Sequence, residues 1–157
     1  MPDKLWQHLS QEQVKHLDPP PGVRVPADMS IEQVIHTMRA ERTGCVLVVE
    51  DSKLLGVFTE RDYVVRVLGE GLPVSTPVSE LMTEEPTCVK ITETVTTLVR
   101  RIGRGGYRRM PIVDDEGHLV GCLSVRNLLH HLAQHCPAAV YNIAPRIEPG
   151  AESREGA

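Results

Sequence analysis

The chain has 157 residues, 41% apolar and 24% charged, a balance that argues against a wholly disordered, collagen-like or membrane-spanning protein. Seventeen Lys and Arg against 21 Asp and Glu leave a net charge of −4, so no global charge draws it to nucleic acid or an acidic membrane. Aromatic residues are only 3%, too few for the stacking platforms that single-stranded nucleic acid requires.

Residues 1–16 predict an N-terminal helix, amphipathic from residue 3, with Leu5, Trp6, Leu9 and Val14 on one side. Pro19-Pro20-Pro21-Gly22 stops it, because proline supplies no N–H and disfavours helix in the residue before it. An extended piece, Val23–Val25, leads to a helix with Asp28 as its expected N-cap and apolar residues at Ile31, Val34, Ile35 and Met38. A buried strand (Cys45–Val49), a polar turn and a second strand (Leu54–Phe58) follow. The closing helix is expected to turn Val64, Val65 and Leu68 inward. Residues 69–80 connect this unit to the next, with the linker proper at 73–80.

The same order then recurs. Thr87–Val89 is extended, Thr92 is the expected cap, and Val95, Leu98, Val99 and Ile102 give the helix its apolar face. Strands at Met110–Val113 and Leu119–Leu123 precede a helix expected to bury Leu128, Leu129 and Leu132. Gly56 and Gly121 stand 65 residues apart, as do Thr59 and Ser124, Arg61 and Arg126, Asp62 and Asn127. Upstream the offset is 64, and one extra residue in the second turn, DDEGH against EDSK, accounts for the slip. The reading is therefore an α+β fold: two β-α-β-β-α repeats, 17–72 and 81–136, packed sheet to sheet with pseudo-two-fold symmetry. The tail, 137–157, holds Val140, Tyr141 and Ile143 and then becomes compositionally disordered.

Both repeats place a Gly-apolar-apolar-[Thr/Ser]-x-Arg-[Asp/Asn] motif at a strand-to-helix junction. A hydroxyl at N-cap with an acceptor at N3 forms a capping box, worth roughly 1 kcal/mol to the helix. The same geometry suits an anion, because a helix N-terminus offers free N–H groups and a positive dipole end. Thr59 or Ser124 with Arg61 or Arg126 can hold phosphate, and Asp62 or Asn127 can accept from a ribose diol.

The duplicated unit and its motif resemble a tandem pair of CBS domains, the Bateman module. The segments LMTEEPTCVKITETV (81–95) and RRMPIVDDEGHLVGCLSVRNLL (108–129) match best, with Pro111-Ile112-Val113-Asp114 as the family's strand element. The resemblance implies an adenine nucleotide in the cleft between repeats: AMP, ADP or ATP, with NAD or S-adenosylmethionine as further choices. It implies that Asp62 and Asn127 hold ribose hydroxyls, and that Thr59 and Ser124 touch phosphate or ribose. Arg108 and Arg109 match positions that carry phosphate-binding basic residues, and the backbones at Val25, Thr87 and Val89 would flank adenine. Asp18-Pro19 stands where the family has Met-Thr, and Gly44-Cys45 where repeat 2 has Arg108-Arg109. The Ser124–Asn127 site is therefore expected to take the more highly charged nucleotide, and the Thr59–Asp62 site a monophosphate or none.

The resemblance further implies a regulatory module that is not an enzyme, requires no cofactor, and reports to a protein effector or a homodimer. The dimer would form through the closing helices, at Tyr63, Val64, Val67, Leu128 and Leu132. A chain without an apolar leader is expected in the cytoplasm, its four cysteines as free thiols with Cys45 and Cys122 buried. Two other readings stay open. His131, His135 and Cys136 could ligate a metal, and the Arg100–Arg109 segment could touch nucleic-acid phosphates.

Overall fold

The computed structural model describes residues 2–136, so the expectations for the tail lie outside the described residues. Helix α1 (Pro2–Gln11) stops earlier than the sequence pattern predicts, and Val14–Leu17 form a separate 3-10 turn. The break falls where the backbone joins repeat 2: the Val14 N–H donates to Glu93 O at 2.9 Å and the Lys15 N–H to Ile91 O at 3.0 Å. Trp6, expected on the apolar side, is 39% exposed and lies under the Arg100 guanidinium, 5.3 Å from its ring centre.

Repeat 1 comprises β1 (Arg24–Pro26), α2 (Ile31–Ala40), β2 (Cys45–Glu50), β3 (Lys53–Thr59) and α3 (Glu60–Asp62), which passes directly into a π-helical stretch, Tyr63–Leu68. A 3-10 turn, Val78–Glu80, and β4 (Thr83–Glu84) follow. Repeat 2 comprises β5 (Val89–Lys90), α4 (Val95–Gly105), β6 (Arg109–Val113), β7 (Leu119–Ser124) and α5 (Val125–His135). One sheet has the order β1-β2-β3-β4 and the other β5-β6-β7. In each, the first strand runs parallel to the second, which pairs antiparallel with the third. The hairpins carry the predicted slip: Val49 faces Leu54 across residues 50–53, and Val113 faces Leu119 across residues 114–118.

Two local expectations need correction. The caps of α2 and α4 are Ser30 and Thr94, two residues beyond Asp28 and Thr92. Ser30 and Gln33 close a full capping box, a signature visible in the sequence as S-x-x-Q. In the closing helices, Val64, Val65, Leu68 and Leu129 point outward at 57, 55, 61 and 55% exposure, whereas Val67 and Leu128 are buried. The wider turn of the π-helix changes the angular spacing of side chains in repeat 1, so a 3.6-residue period selects the wrong face there.

Each repeat is completed by the segment that precedes the other. Val14 and Leu17 lie in the core of repeat 2 with Val89, Leu98 and Met110, while Val78 and Leu81 lie in that of repeat 1 with Val25, Ile31 and Phe58. Gly56 and Gly121 make these crossings possible, since a Cβ there would collide with Met82 and Thr83 O, or with Pro20 O. A third apolar cluster joins the sheets face to face: Leu47 from β2 against Leu119 and Cys122 from β7, with Val49, Leu54 and Val57 packed beside them. The Leu119 N–H donates to Ser52 O at 2.7 Å across the same interface. The result is an α+β pair of β-α-β-β-α repeats, sheet on sheet about a pseudo-two-fold axis. No described helix is long and apolar enough to cross a membrane.

Candidate functional site

The two motif junctions have the same hydrogen-bond geometry. In repeat 1 the Asp62 N–H donates to Thr59 Oγ1 at 3.2 Å, while Asp62 Oδ2 accepts from the Thr59 N–H at 2.9 Å and from its hydroxyl at 3.0 Å. In repeat 2 the Asn127 N–H donates to Ser124 Oγ at 3.0 Å, and Asn127 Oδ1 accepts from the Ser124 N–H at 2.9 Å and its hydroxyl at 2.8 Å. All four side chains are half-buried. The capping role is real, and it leaves one outward atom on each N3 side chain.

Those outward atoms differ in kind. Asp62 keeps Oδ1, an acceptor, 3.8 Å from Arg66 Nε. Asn127 commits its oxygen to two donors in the cap, which turns its amide NH2 outward. The sequence alone suggested that both positions accept from a diol; at Asn127 the free group donates instead. Arg66 is a residue the sequence reading missed, although Asp62-x-x-x-Arg66 is an ordinary i,i+4 pair. Its Nη1 also donates to Leu81 O at 2.7 Å and Met82 O at 3.2 Å, tying the junction to the crossing segment.

Val25 and Val89 are buried in strands β1 and β5, each an edge strand of its sheet, so one row of backbone groups is left outside the ladder. Thr87 is exposed, with its hydroxyl 3.0 Å from that of Tyr107. Arg61 and Arg126 are exposed on the first turns of α3 and α5. Arg108 and Arg109 are exposed at the start of β6, where Arg109 pairs with Ser124 and Arg108 O accepts from the Val125 N–H at 3.1 Å. The counterpart in repeat 1 is Cys45 opposite Thr59, with Gly44 O accepting from the Glu60 N–H at 3.0 Å.

Cys45 and Cys122 report on the space between these junctions. Burial, reinforced by the neighbouring Cys122, pushes the Cys45 thiol up to about 12 against the opposing Arg109 charge; nearby Asp62 adds to the rise. Burial likewise raises the Cys122 thiol to about 11, again opposed by Arg109. The Arg109 guanidinium is thus felt in both repeats. The four cysteines are free; Cys122 is buried, and Cys45 is half-buried.

The other candidate clusters resolve differently. His131 is buried and its Nε2 lies 2.8 Å from Glu12 Oε1, which anchors the end of α1 to α5. The rings of His131 and His135 stack with centres 4.3 Å apart, and His135 Nδ1 lies 3.0 Å from His131 O, so these histidines do not converge with Cys136 on one point. Among the described residues, Asp114, Glu116 and His118 do bring metal-compatible atoms together, on an exposed turn where Asp114 Oδ1 accepts from two backbone N–H groups. The basic segment is divided: Arg101 forms a bidentate pair with Glu93 at 2.8 and 2.9 Å, and Arg100 covers Trp6. Arg100, Arg104, Arg108 and Arg109 are exposed.

Comparison with known proteins gives the same pattern. The CBS domain family model matches residues 14–69 and 78–134. A meiotically up-regulated gene 70 protein of Schizosaccharomyces pombe is 33% identical over 105 residues, 66% of this chain but 14% of that protein's length. The CBS domain-containing protein YhcV of Bacillus subtilis is 30% identical over 104 residues, 66% of this chain and 74% of the relative. Among solved structures, the CBS domain protein PAE2072 from Pyrobaculum aerophilum, complexed with AMP, superposes with a TM-score of 0.67 at 25% identity. That match covers 78% of this chain and 98% of the other.

Proposed function

The chain belongs to the CBS-domain family, and from that premise we propose that it is a regulatory module that binds an adenine nucleotide between its two repeats. The observation that carries this reading is the paired junction: two boxes with the same bonding, each leaving one polar atom of its N3 side chain outside the cap and preceded in sequence by an exposed arginine. Support comes from the AMP held by the PAE2072 protein, a relative of this fold. In this reading Asp62 Oδ1 accepts from a ribose hydroxyl, the Asn127 amide donates to one, and Thr59, Ser124, Arg61 and Arg126 meet phosphate or ribose. The backbones at Val25, Thr87 and Val89 flank adenine from the open strand edges. Arg108 and Arg109, at the start of β6 beside Ser124 and Val125, supply positive charge to phosphate.

The reading assigns the chain no catalytic step and places it in the cytoplasm. A ligand that prefers one arrangement of the repeats shifts their equilibrium toward it, and a partner reads the shift. The partner surface we assign is the outward face of the closing helices, Val64, Val65, Leu68 and Leu129, which a second copy would cover. Val67 and Leu128, expected there from sequence, are buried within their own repeats. A thermal-shift panel of AMP, ADP, ATP, NAD, S-adenosylmethionine and cyclic dinucleotides tests the ligand class. A true ligand at 100 times its Kd adds about 2.7 kcal/mol of stability. No shift with any adenine-containing compound would contradict the proposal.

A further inference from the structure

The two repeats carry arginines at complementary places around the turn from helix to second strand. Repeat 1 has Arg39 and Arg42 where repeat 2 has Gly103 and Gly106; repeat 2 has Arg108 and Arg109 where repeat 1 has Gly44 and Cys45. Arg39 and Arg42 line a cavity of about 390 Å³ between α2 and the closing helix of repeat 1, with Gly44, Glu60 and Tyr63 on its other walls. It abuts the motif, since Glu60 directly follows Thr59 and its N–H donates to Gly44 O. Among the described residues neither arginine has an ion-pair partner within 4.0 Å, unlike Arg101 and Arg66.

The backbone makes Arg42 unusual. Its φ is +52°, a left-handed conformation that disfavours a side chain bearing a Cβ, and the aligned Gly106 takes φ +63° as the C-cap of α4. A cation in the last turn of a helix is favourable in itself, which accounts for Arg39 in α2. It does not account for a long side chain at Arg42, where the sister repeat uses a glycine in the same left-handed conformation. Of the five described non-glycine residues with positive φ, Arg42 is the one cation, and strain of this kind clusters at ligand sites.

We propose that this cavity binds a chain of phosphate groups through Arg39 and Arg42, either the tail of a nucleoside triphosphate held at Thr59 and Asp62 or free inorganic polyphosphate. Forked guanidinium groups suit phosphate oxygens, and two of them discriminate most strongly among ligands by charge. The nucleotide arm rests on the reading above; the polyphosphate arm does not. The inference replaces the expectation that repeat 1 lacks cations for more than one phosphate.

Calorimetric titration of inorganic tripolyphosphate, ATP and AMP into the protein and its Arg39→Gln, Arg42→Gly and Glu60→Gln variants tests it. Tripolyphosphate binds the parent, each arginine variant loses about tenfold, and Glu60→Gln gains because it removes a repelling charge. AMP affinity stays unchanged in the arginine variants. Arg42→Gly melts no lower than the parent, which separates lost binding from lost folding. A parallel loss for ATP identifies the nucleotide tail as occupant; a loss for tripolyphosphate alone identifies free polyphosphate. If AMP fails to bind the parent while arginine-dependent tripolyphosphate binding holds, the nucleotide reading falls and this inference stands. If tripolyphosphate does not bind, or all ligands bind the arginine variants as they bind the parent, the inference is overturned.

Discussion

Asp62 and Asn127 perform one structural task and offer a ligand opposite chemistry. Each accepts from the N-cap N–H and hydroxyl, but Asp62 presents an anionic oxygen outward and Asn127 an amide donor. Asp62→Asn should therefore keep the cap and alter only the outward atom. We predict that it folds as stably as the parent within about 0.5 kcal/mol yet binds AMP at least tenfold more weakly, because an acceptor bond to a charged group contributes about 1.5–3 kcal/mol. Asp62→Ala should lose the same affinity and also about 1 kcal/mol of stability from the cap. Thermal melts beside calorimetry separate the two; equal affinity in all three proteins contradicts the ribose role. Asn127 also shows where sequence reading stops. Its identity is legible, but which end of the amide is left outside the cap depends on a four-residue hydrogen-bond geometry, Ser124 to Asn127, that sequence does not specify.

The raised thiols of Cys45 and Cys122 give a second residue-scale prediction. A thiol held above its ordinary value favours folding while it stays protonated, so this contribution is complete below the ordinary thiol range and is lost as pH climbs toward 11–12. At pH 8 Cys45 and Cys122 should accordingly resist iodoacetamide in the native protein and react on unfolding. Mass spectrometry of alkylated peptides checks this, and rapid native modification of both would contradict it.

At the scale of elements, strands and helices were legible because apolar period and turn residues agree in both repeats, and the 64-to-65 slip appears directly in the hairpin registers. Two features were not. The inward face of the first closing helix was read wrongly because Tyr63–Leu68 is π-helical, which no short apolar period announces. The exchange of lead-in segments was invisible because its partners, such as Val14 with Glu93, lie 79 residues apart and share no local pattern. Gly56 and Gly121 were recognised as a matched pair, but their reason is this crossing. Gly121→Ala should destabilise the fold by about 1–3 kcal/mol, since backbone of the crossing segment blocks the added methyl. Urea unfolding measures it, and an unchanged midpoint would show that the crossing has room to move.

The same crossing is fastened by Glu93, whose backbone oxygen receives the Val14 N–H and whose carboxylate holds Arg101. Burial alone would raise this carboxyl, but the Arg101 hydrogen bonds, the Lys90 N–H and the two positive charges outweigh it and hold it below the usual range. A depressed carboxyl contributes stability above its unfolded value and loses it as pH falls through the folded one. Glu93→Gln should thus flatten the acid limb of the stability curve below about pH 4.5 and leave the alkaline limb unchanged. Melting temperatures across that range decide the point.

For the whole molecule, the two repeats share one body through exchanged segments and a sheet-to-sheet apolar cluster, so a ligand between them acts on a unit rather than on two beads. The exposed apolar residues of the closing helices give that unit an outward surface. Replacing Leu68 and Leu129 together with Lys should yield a monomer by light scattering with little change in melting, since neither side chain is buried within its repeat. An unchanged mass for parent and variant would contradict the dimer face.

Adenine-nucleotide binding at the two capped junctions is decided by calorimetric titration of AMP into the parent and into an Asp62→Ala/Asn127→Ala variant. Saturable binding to the parent and a loss of at least tenfold in the variant are expected, with far-ultraviolet circular dichroism unchanged. A folded variant that binds AMP as tightly as the parent, or a parent that binds none of AMP, ADP and ATP, would contradict it.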